Sequence, residues 1–251
     1  MESFIGWIGG KRLLRKEIVK RFPEKMGRYI EVCGGAAWVL FSQEKIADME
    51  VYNDANGDLV NLFKCIKYHR PELQRELSFM LNCREMFEDF KAQYNTRGMT
   101  DIQRAARFFM LIKTSYGCDI RTYGCVKKNV SVMVEYLEAI EKRLATVVIE
   151  NKDFEGLMKV YDKPDALSYF DPPYYGTEKY YSVEFAQEDH IRLHNVLSSL
   201  KGRFILSYND CEFIRELYKG FRVQEVSRGH NLVGRYSEKD HRYNELIIMN
   251  Y

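Results

Sequence analysis

The chain lacks a Cys-x-x-Cys pair, although it holds six cysteines. Cys33, Cys65, Cys83, Cys118, Cys125 and Cys211 are scattered. That spacing argues against a thiolate zinc site or a disulfide framework, and for reduced thiols in a reducing compartment. No apolar run approaches the length that crosses a bilayer, and no leader pattern is seen, so a cytoplasmic protein without a membrane partner is expected. His190 and His194 stand four apart but lack the Glu that a helical zinc pair needs, so no metal is expected. The five histidines (His69, His190, His194, His230 and His241) read as surface residues. Net charge is also scarce, at +2. Any nucleic-acid surface must then be a local patch and not a global field. Internal repeats and low-complexity segments are missing. A chain of 251 residues with ordinary apolar and charged content suits one α/β domain carrying an insertion.

Only five prolines are present, and two of them are adjacent. They sit in the stretch ALSYFDPPYY, residues 166–175. The apolar run at 167–170 reads as a buried strand. Pro172 and Pro173 cannot donate to a ladder, so the strand is predicted to stop at Asp171. A carboxylate, a stiff turn and the ring of Tyr174 then share the carboxyl end of a strand, where ligands bind in open α/β sheets. Asp171 can accept a hydrogen bond from an amino group, and the Pro172 carbonyl a second. Tyr174 offers a face on which a planar base can stack. An exocyclic amine held by two acceptors loses conjugation with its ring, and its lone pair becomes available. The competing reading is a proline turn with an N-capping Asp. The strand before it and the tyrosine after it weigh against that.

Two glycine turns precede this stretch. Residues 4–14 read FIGWIGGKRLL, a tight loop feeding a helix, with Lys11 placed to meet an anion. Taken alone, a glycine turn and a surface lysine describe it better. Residues 29–33 read as a strand, the small-residue turn Gly34-Gly35-Ala36-Ala37 follows, and a helix is expected from Trp38. A second strand ends near Asp54, at the offset where an acid often holds ribose hydroxyls; a turn or helix cap is the alternative. Residues 59–109 read as helix throughout, an insertion into the α/β domain. It ends in KTSYGCDIRTYGCVKK, residues 113–128, a basic, glycine-punctuated loop or hairpin. Helix is expected at 134–144, 187–200 and 210–218. Strands are expected at 146–150, 204–207, 222–226 and 245–249, the last two as an antiparallel edge around a basic loop at 227–243.

In this order the pieces closely resemble the Dam-like adenine-N6 DNA methyltransferases, nearly end to end. The resemblance rests on Trp7-Ile8-Gly9-Gly10-Lys11, Glu31 with its Gly-Gly turn, Asn53-Asp54-Ala55-Asn56, Ser115-Tyr116-Gly117, Arg121, Asp171-Pro172-Pro173-Tyr174 and Asn244-Glu245-Leu246-Ile247. It implies a Rossmann-like methyltransferase fold, with the catalytic domain at 1–58 and 145–251 and a mostly helical target-recognition insertion at 59–144. It implies S-adenosyl-L-methionine as methyl donor, adenine in double-stranded DNA as acceptor, and a monomer. The donor is expected on Trp7, Gly10, Lys11, Glu31, Gly34, Gly35, Asp54 and Asp171. Asp171, Pro172, Pro173 and Tyr174 are expected to hold the target adenine. Tyr116, Arg121, Lys127, Lys128, Arg228 and Arg235 are expected on DNA. Cys33 stands where the family usually has Phe, and Ala36 and Ala37 where Gly is frequent. Two other readings fit the same motifs: a DNA-binding relic of the fold, or a methyltransferase acting on cytosine N4, RNA adenine or a protein Gln.

Overall fold

The computed structural model describes residues 1–96, 98–125, 130–178, 184–229 and 242–251. Among them, seven strands form one sheet: β1 (Arg28–Glu31), β2 (Met49–Asn53), β3 (Val147–Glu150), β4 (Ala166–Phe170), β5 (Arg203–Asn209), β6 (Arg222–Gly229) and β7 (Arg242–Met249). Their order is β3-β2-β1-β4-β5-β7-β6. β1 to β5 run parallel, and β7 runs antiparallel to both neighbours. The antiparallel edge expected at the end of the sequence is therefore present, with β7 inserted between β5 and β6. The strand order reverses between β1 and β4. That switch point is where the two halves of a doubly wound sheet leave a crevice.

Side chains alternate between the faces of the sheet with period two, as a doubly covered sheet requires. Tyr29, Tyr52, Leu167, Tyr169, Ile205 and Ile247 enter one core. That core is closed by α1 (Arg15–Val19), α2 (Gly57–Tyr68), α5 (Asp101–Thr114) and α7 (Leu137–Leu144). Ile30, Val51, Phe170, Leu206, Tyr208, Leu246 and Ile248 enter the other. It is closed by α8 (Phe154–Tyr161), α9 (Gln187–Ser198) and α10 (Glu212–Leu217). In the first core the Phe63 ring of α2 stacks on Tyr52 at 4.0 Å and meets Phe4 at 5.1 Å. Phe4 and Ile5 are each 1% exposed and anchor the amino-terminal strap beneath which the site forms.

Three local expectations differ. The helical run at 59–109 is broken into α2, α3 (Arg70–Ser78), α4 (Arg84–Ala92) and α5. Pro71 starts α3 within its first turn, where its missing N–H costs nothing, and α5 restarts on a Thr100–Gln103 capping box. The helix expected from 134 is two helices, α6 (Val130–Glu135) and α7. No α-helix follows the second glycine turn, Gly34-Gly35. The chain makes only a 3-10 turn at Leu40–Ser42, whose Leu40 N–H is taken by the Glu31 carboxylate at 2.7 Å. A residue in left-handed backbone, Ala37 at φ 54°, separates that turn from the glycines.

Candidate active site

The carboxyl ends of β1 to β4 meet along one edge of the sheet, and a cleft open to solvent lies over them. Trp7, Gly10, Lys11, Glu31, Gly34, Gly35, Asp54, Asp171 and Pro173 all line it. Residues expected to share a site from separate motifs are thus brought together. Gly34 passes so close to β2 that an added Cβ would lie 2.3 Å from the Tyr52 ring. Gly35 has φ +49°, and a Cβ there would meet Trp7 at 2.8 Å. Both positions therefore need glycine for the turn to pack against Tyr52 and Trp7, and the turn lines the cleft with backbone alone. Asp54 ties it down: one carboxylate oxygen accepts from Gly35 N–H and the other from Asn56 N–H, each at 2.8 Å. Burial pushes the Asp54 carboxyl above its ordinary value, against those two donors. The helix cap weighed for Asp54 is in fact Asn56, which accepts from Asp58 and Leu59 N–H.

Lys11 is not a surface lysine. It is 3% exposed, and its ammonium lies 2.7 Å from Asp171 Oδ1 and 3.9 Å from Glu245 Oε2. It also donates to the Gly9 carbonyl at 2.8 Å and sits 4.7 Å from the centre of the Tyr174 ring. A buried ammonium needs such partners. The first glycine turn and the Asp-Pro-Pro-Tyr turn are in this way one electrostatic unit. Tyr174 donates its hydroxyl to Glu245 Oε2 at 2.5 Å. Burial first, then the neighbouring carboxylates, hold that phenol well above its ordinary range. Glu31, 2% exposed, accepts from Tyr29 Oη at 2.9 Å and from Leu40 N–H. Burial raises its carboxyl to about 8, and the nearby Asp171 charge adds to the effect.

The opposite end of the cleft holds groups to which the sequence reading assigned no role. Asp153 and Phe154 follow β3, and Phe185 reaches over from the segment before α9. Arg192 of α9 grips both oxygens of Asp153 at 2.8 Å and lies 4.1 Å over the Phe154 ring. The Phe154 and Phe185 rings, 6.2 Å apart and tilted by 48°, give this part of the cleft an apolar wall with an acid beside it. Cys33 and Trp38 also line the cleft, and burial pushes the Cys33 thiol upward. Ala36 adds its methyl to the same wall, while Ala37 is turned into the core. Asp153 and Phe154 were visible as a strand-end pair, and Glu245 only as part of the closing Asn244-Glu245-Leu246-Ile247 motif, without a role; Phe185 and Arg192 carried no local signal.

Of the histidines, His190 departs from the surface expectation. It is fully buried between the Tyr208 hydroxyl and Glu178, whose carboxylate lies 3.0 Å from Nε2. The basic loop forms a small hairpin, with Ser115 bridged to Tyr123. Tyr116 is exposed there, and the Arg121 backbone N–H is held by Asp119 at 2.8 Å. Neither lines the cleft. Lys127, Lys128, His230, Arg235 and His241 lie outside the described residues, as does the side chain of Arg228. Among the described residues, no helix is long and apolar enough to cross a membrane.

The strand order with its reversed last strand, the glycine turn at the switch point and the acid-Pro-Pro-Tyr turn, of which Asp171 and Pro173 line the cleft and Pro172 and Tyr174 do not, define a Rossmann-like S-adenosylmethionine-dependent methyltransferase fold. Comparison with known proteins narrows the class. The chain belongs to the D12 class N6 adenine-specific DNA methyltransferase family, whose model matches residues 7–231. A type II methyltransferase, M.CviBI, of Paramecium bursaria Chlorella virus NC1A is 24% identical over 270 residues, covering 100% of both chains. A DNA adenine methylase of Haemophilus influenzae is 25% identical over 275 residues, covering 98% of this chain and 92% of its own.

Proposed function

We propose that the cleft holds S-adenosyl-L-methionine and that the target adenine is extruded from duplex DNA onto Tyr174, beside Asp171. The observation that carries this reading is the junction of the two turns through Lys11, whose ammonium lies 2.7 Å from Asp171 at the mouth of the cleft. The residues present suit the donor. The Gly34-Gly35 turn lines the cleft without side chains, so a ligand can approach its backbone closely. Asp54 at the end of β2 is placed for ribose hydroxyls, and the apolar wall of Phe154 and Phe185 for a flat base. Trp7, Gly10, Lys11, Glu31 and Gly35 complete the walls. When bound, the donor supplies an electrophilic methyl group on a sulfonium.

The remaining work belongs to the chain. An amino group inside a stacked duplex is out of reach, so the base is taken out of the stack. The Tyr174 ring stacks on it, a contact worth about 1–3 kcal/mol. Asp171 and the Pro172 carbonyl accept the two N6 hydrogens and free the nitrogen lone pair. Pro173 stiffens the turn, and Lys11 holds the Asp171 carboxylate in one orientation. Most of the acceleration is positioning. The insertion at 59–144 recognises the target. Within it α2, α5 and α7 are packed into the core beside the sheet, so DNA contact is assigned to the 113–128 loop. Arg121 reads a base edge beside Tyr116, while Lys127, Lys128, Arg228 and Arg235 contact phosphate.

The test is incubation with donor and unmethylated genomic DNA, followed by mapping of modified bases. N6-methyladenine at one short sequence is expected, and Asp171→Ala should fold but lose it. Methyl groups appearing only on cytosine, or a fully active Asp171→Ala, would overturn the reading.

A further inference from the structure

Glu245 is 2% exposed, yet it carries a carboxylate. It comes from β7, the last strand of the chain. Because β7 runs antiparallel to β5, with Glu245 opposite Asn209, this residue near the start of β7 reaches the edge where the parallel strands end. Tyr174 donates its hydroxyl to Glu245 Oε2 at 2.5 Å, and Lys11 Nζ stands 3.9 Å from the same oxygen. The Lys11 ammonium also touches Asp171 at 2.7 Å and lies 4.7 Å from the Tyr174 ring centre. Burying a carboxylate is costly, and an apolar side chain of similar volume would often be at least as stabilising. Its presence calls for a role beyond packing.

We propose that Glu245 is a positioning residue for methyl transfer, fixing the plane of the Tyr174 ring through its hydroxyl and tying that ring, by way of Lys11, to Asp171. The proposal rests on the reading of Tyr174 as the stacking face and Asp171 as an acceptor for N6. A tyrosine held only at its Cβ end is free to rock about its ring torsion. Anchored at the hydroxyl, it presents one face at one angle. The base stacked there is then delivered with its amino group at Asp171, because one cation registers both residues. Loss of the anchor leaves donor and DNA contacts in place and spoils the alignment. The effect should fall on the chemical step and not on binding.

The experiment is a mutant cycle on the full chain, read by single-turnover methyl transfer to a duplex carrying the mapped site. Donor affinity is followed by calorimetry and fold by thermal unfolding. Glu245→Met should lower the single-turnover rate at least ~10-fold with donor affinity kept within about twofold. Glu245→Gln, which keeps an acceptor for the hydroxyl, should recover the rate to within about threefold of wild type. Tyr174→Phe removes the same hydrogen bond from the other end and should be slowed to a similar degree. In that background Glu245→Met should cost less than about twofold more. Additive losses, a Gln variant as slow as Met, or a loss confined to donor affinity would each overturn the proposal. If Glu245→Met does not fold, wild-type rates in Tyr174→Phe would overturn it instead. Tyr174→Ala separates the two ideas: full activity there would remove the stacking role itself, whatever Glu245 does.

Discussion

Replacing Glu31 by Gln should remove a pH dependence from the stability of the fold. The Glu31 carboxyl is raised from 4.5 to about 8, chiefly by burial. The native chain therefore holds this proton more tightly than the unfolded chain does. Its stabilising effect is fully present below pH 4.5 and is lost as pH rises towards 8. Each pH unit inside that window costs about 1.4 kcal/mol, so the loss amounts to roughly 3 kcal/mol between pH 4.5 and 7, and about 5 by pH 8. Little solvent screening reduces this, because Glu31 is 2% exposed. A Gln carbonyl can still accept from Tyr29 Oη and Leu40 N–H, the two donors that Glu31 Oε2 now serves. It has no proton to lose. Urea unfolding of both proteins at pH 5, 6, 7 and 8 reads the difference. The two should match at pH 5, and the variant should lead by about 2–3 kcal/mol at pH 7. A difference that stays constant from pH 5 to 8 would refute a neutral Glu31 in the native state.

Asp54→Ala strands the Gly35 and Asn56 N–H groups that now share its carboxylate. Calorimetry should show donor affinity weakened by about 1.5–3 kcal/mol, with DNA affinity kept. Gly34→Ala drives a methyl group into the Tyr52 ring, and chemical denaturation should show a loss of about 1–3 kcal/mol. Ala37→Gly relieves a left-handed residue at φ 54°, worth about 1–2 kcal/mol, against a cost of about 0.4–1 kcal/mol from a freer unfolded chain. A small net gain in thermal stability is expected. Arg121→Ala should relax preference at one base of the site by about 1–3 kcal/mol. Methylation rates on oligonucleotides with every single-base change in the mapped site decide it, and one common factor across all of them would exclude base reading.

The features legible in the sequence are those set by neighbours along the chain. Leu167 and Phe170 followed by two prolines can make little but a strand that stops, and β4 ends at Phe170. The Gly34-Gly35 turn, the Asp54 strand end and the order of strands and helices follow from the same local rules of period and turn chemistry. The helix breaks in 59–109 were harder, because Pro71 at the start of α3 is compatible with helix on its far side. What only the tertiary structure decided is which of these pieces share a charge. Lys11 reads as a surface residue until the strap anchored by Phe4 and Ile5 carries it over the sheet edge to Asp171. Glu245 is legible only as a member of the closing Asn244-Glu245-Leu246-Ile247 motif, and it acquires its partner when β7 turns antiparallel beside β5 and brings it to the Tyr174 hydroxyl. His190 and Arg192 likewise acquire partners only when α9 packs across the strand ends. Strand direction and sheet order are settled by burying both faces of the sheet at once, a condition on the whole chain that no local stretch of residues contains.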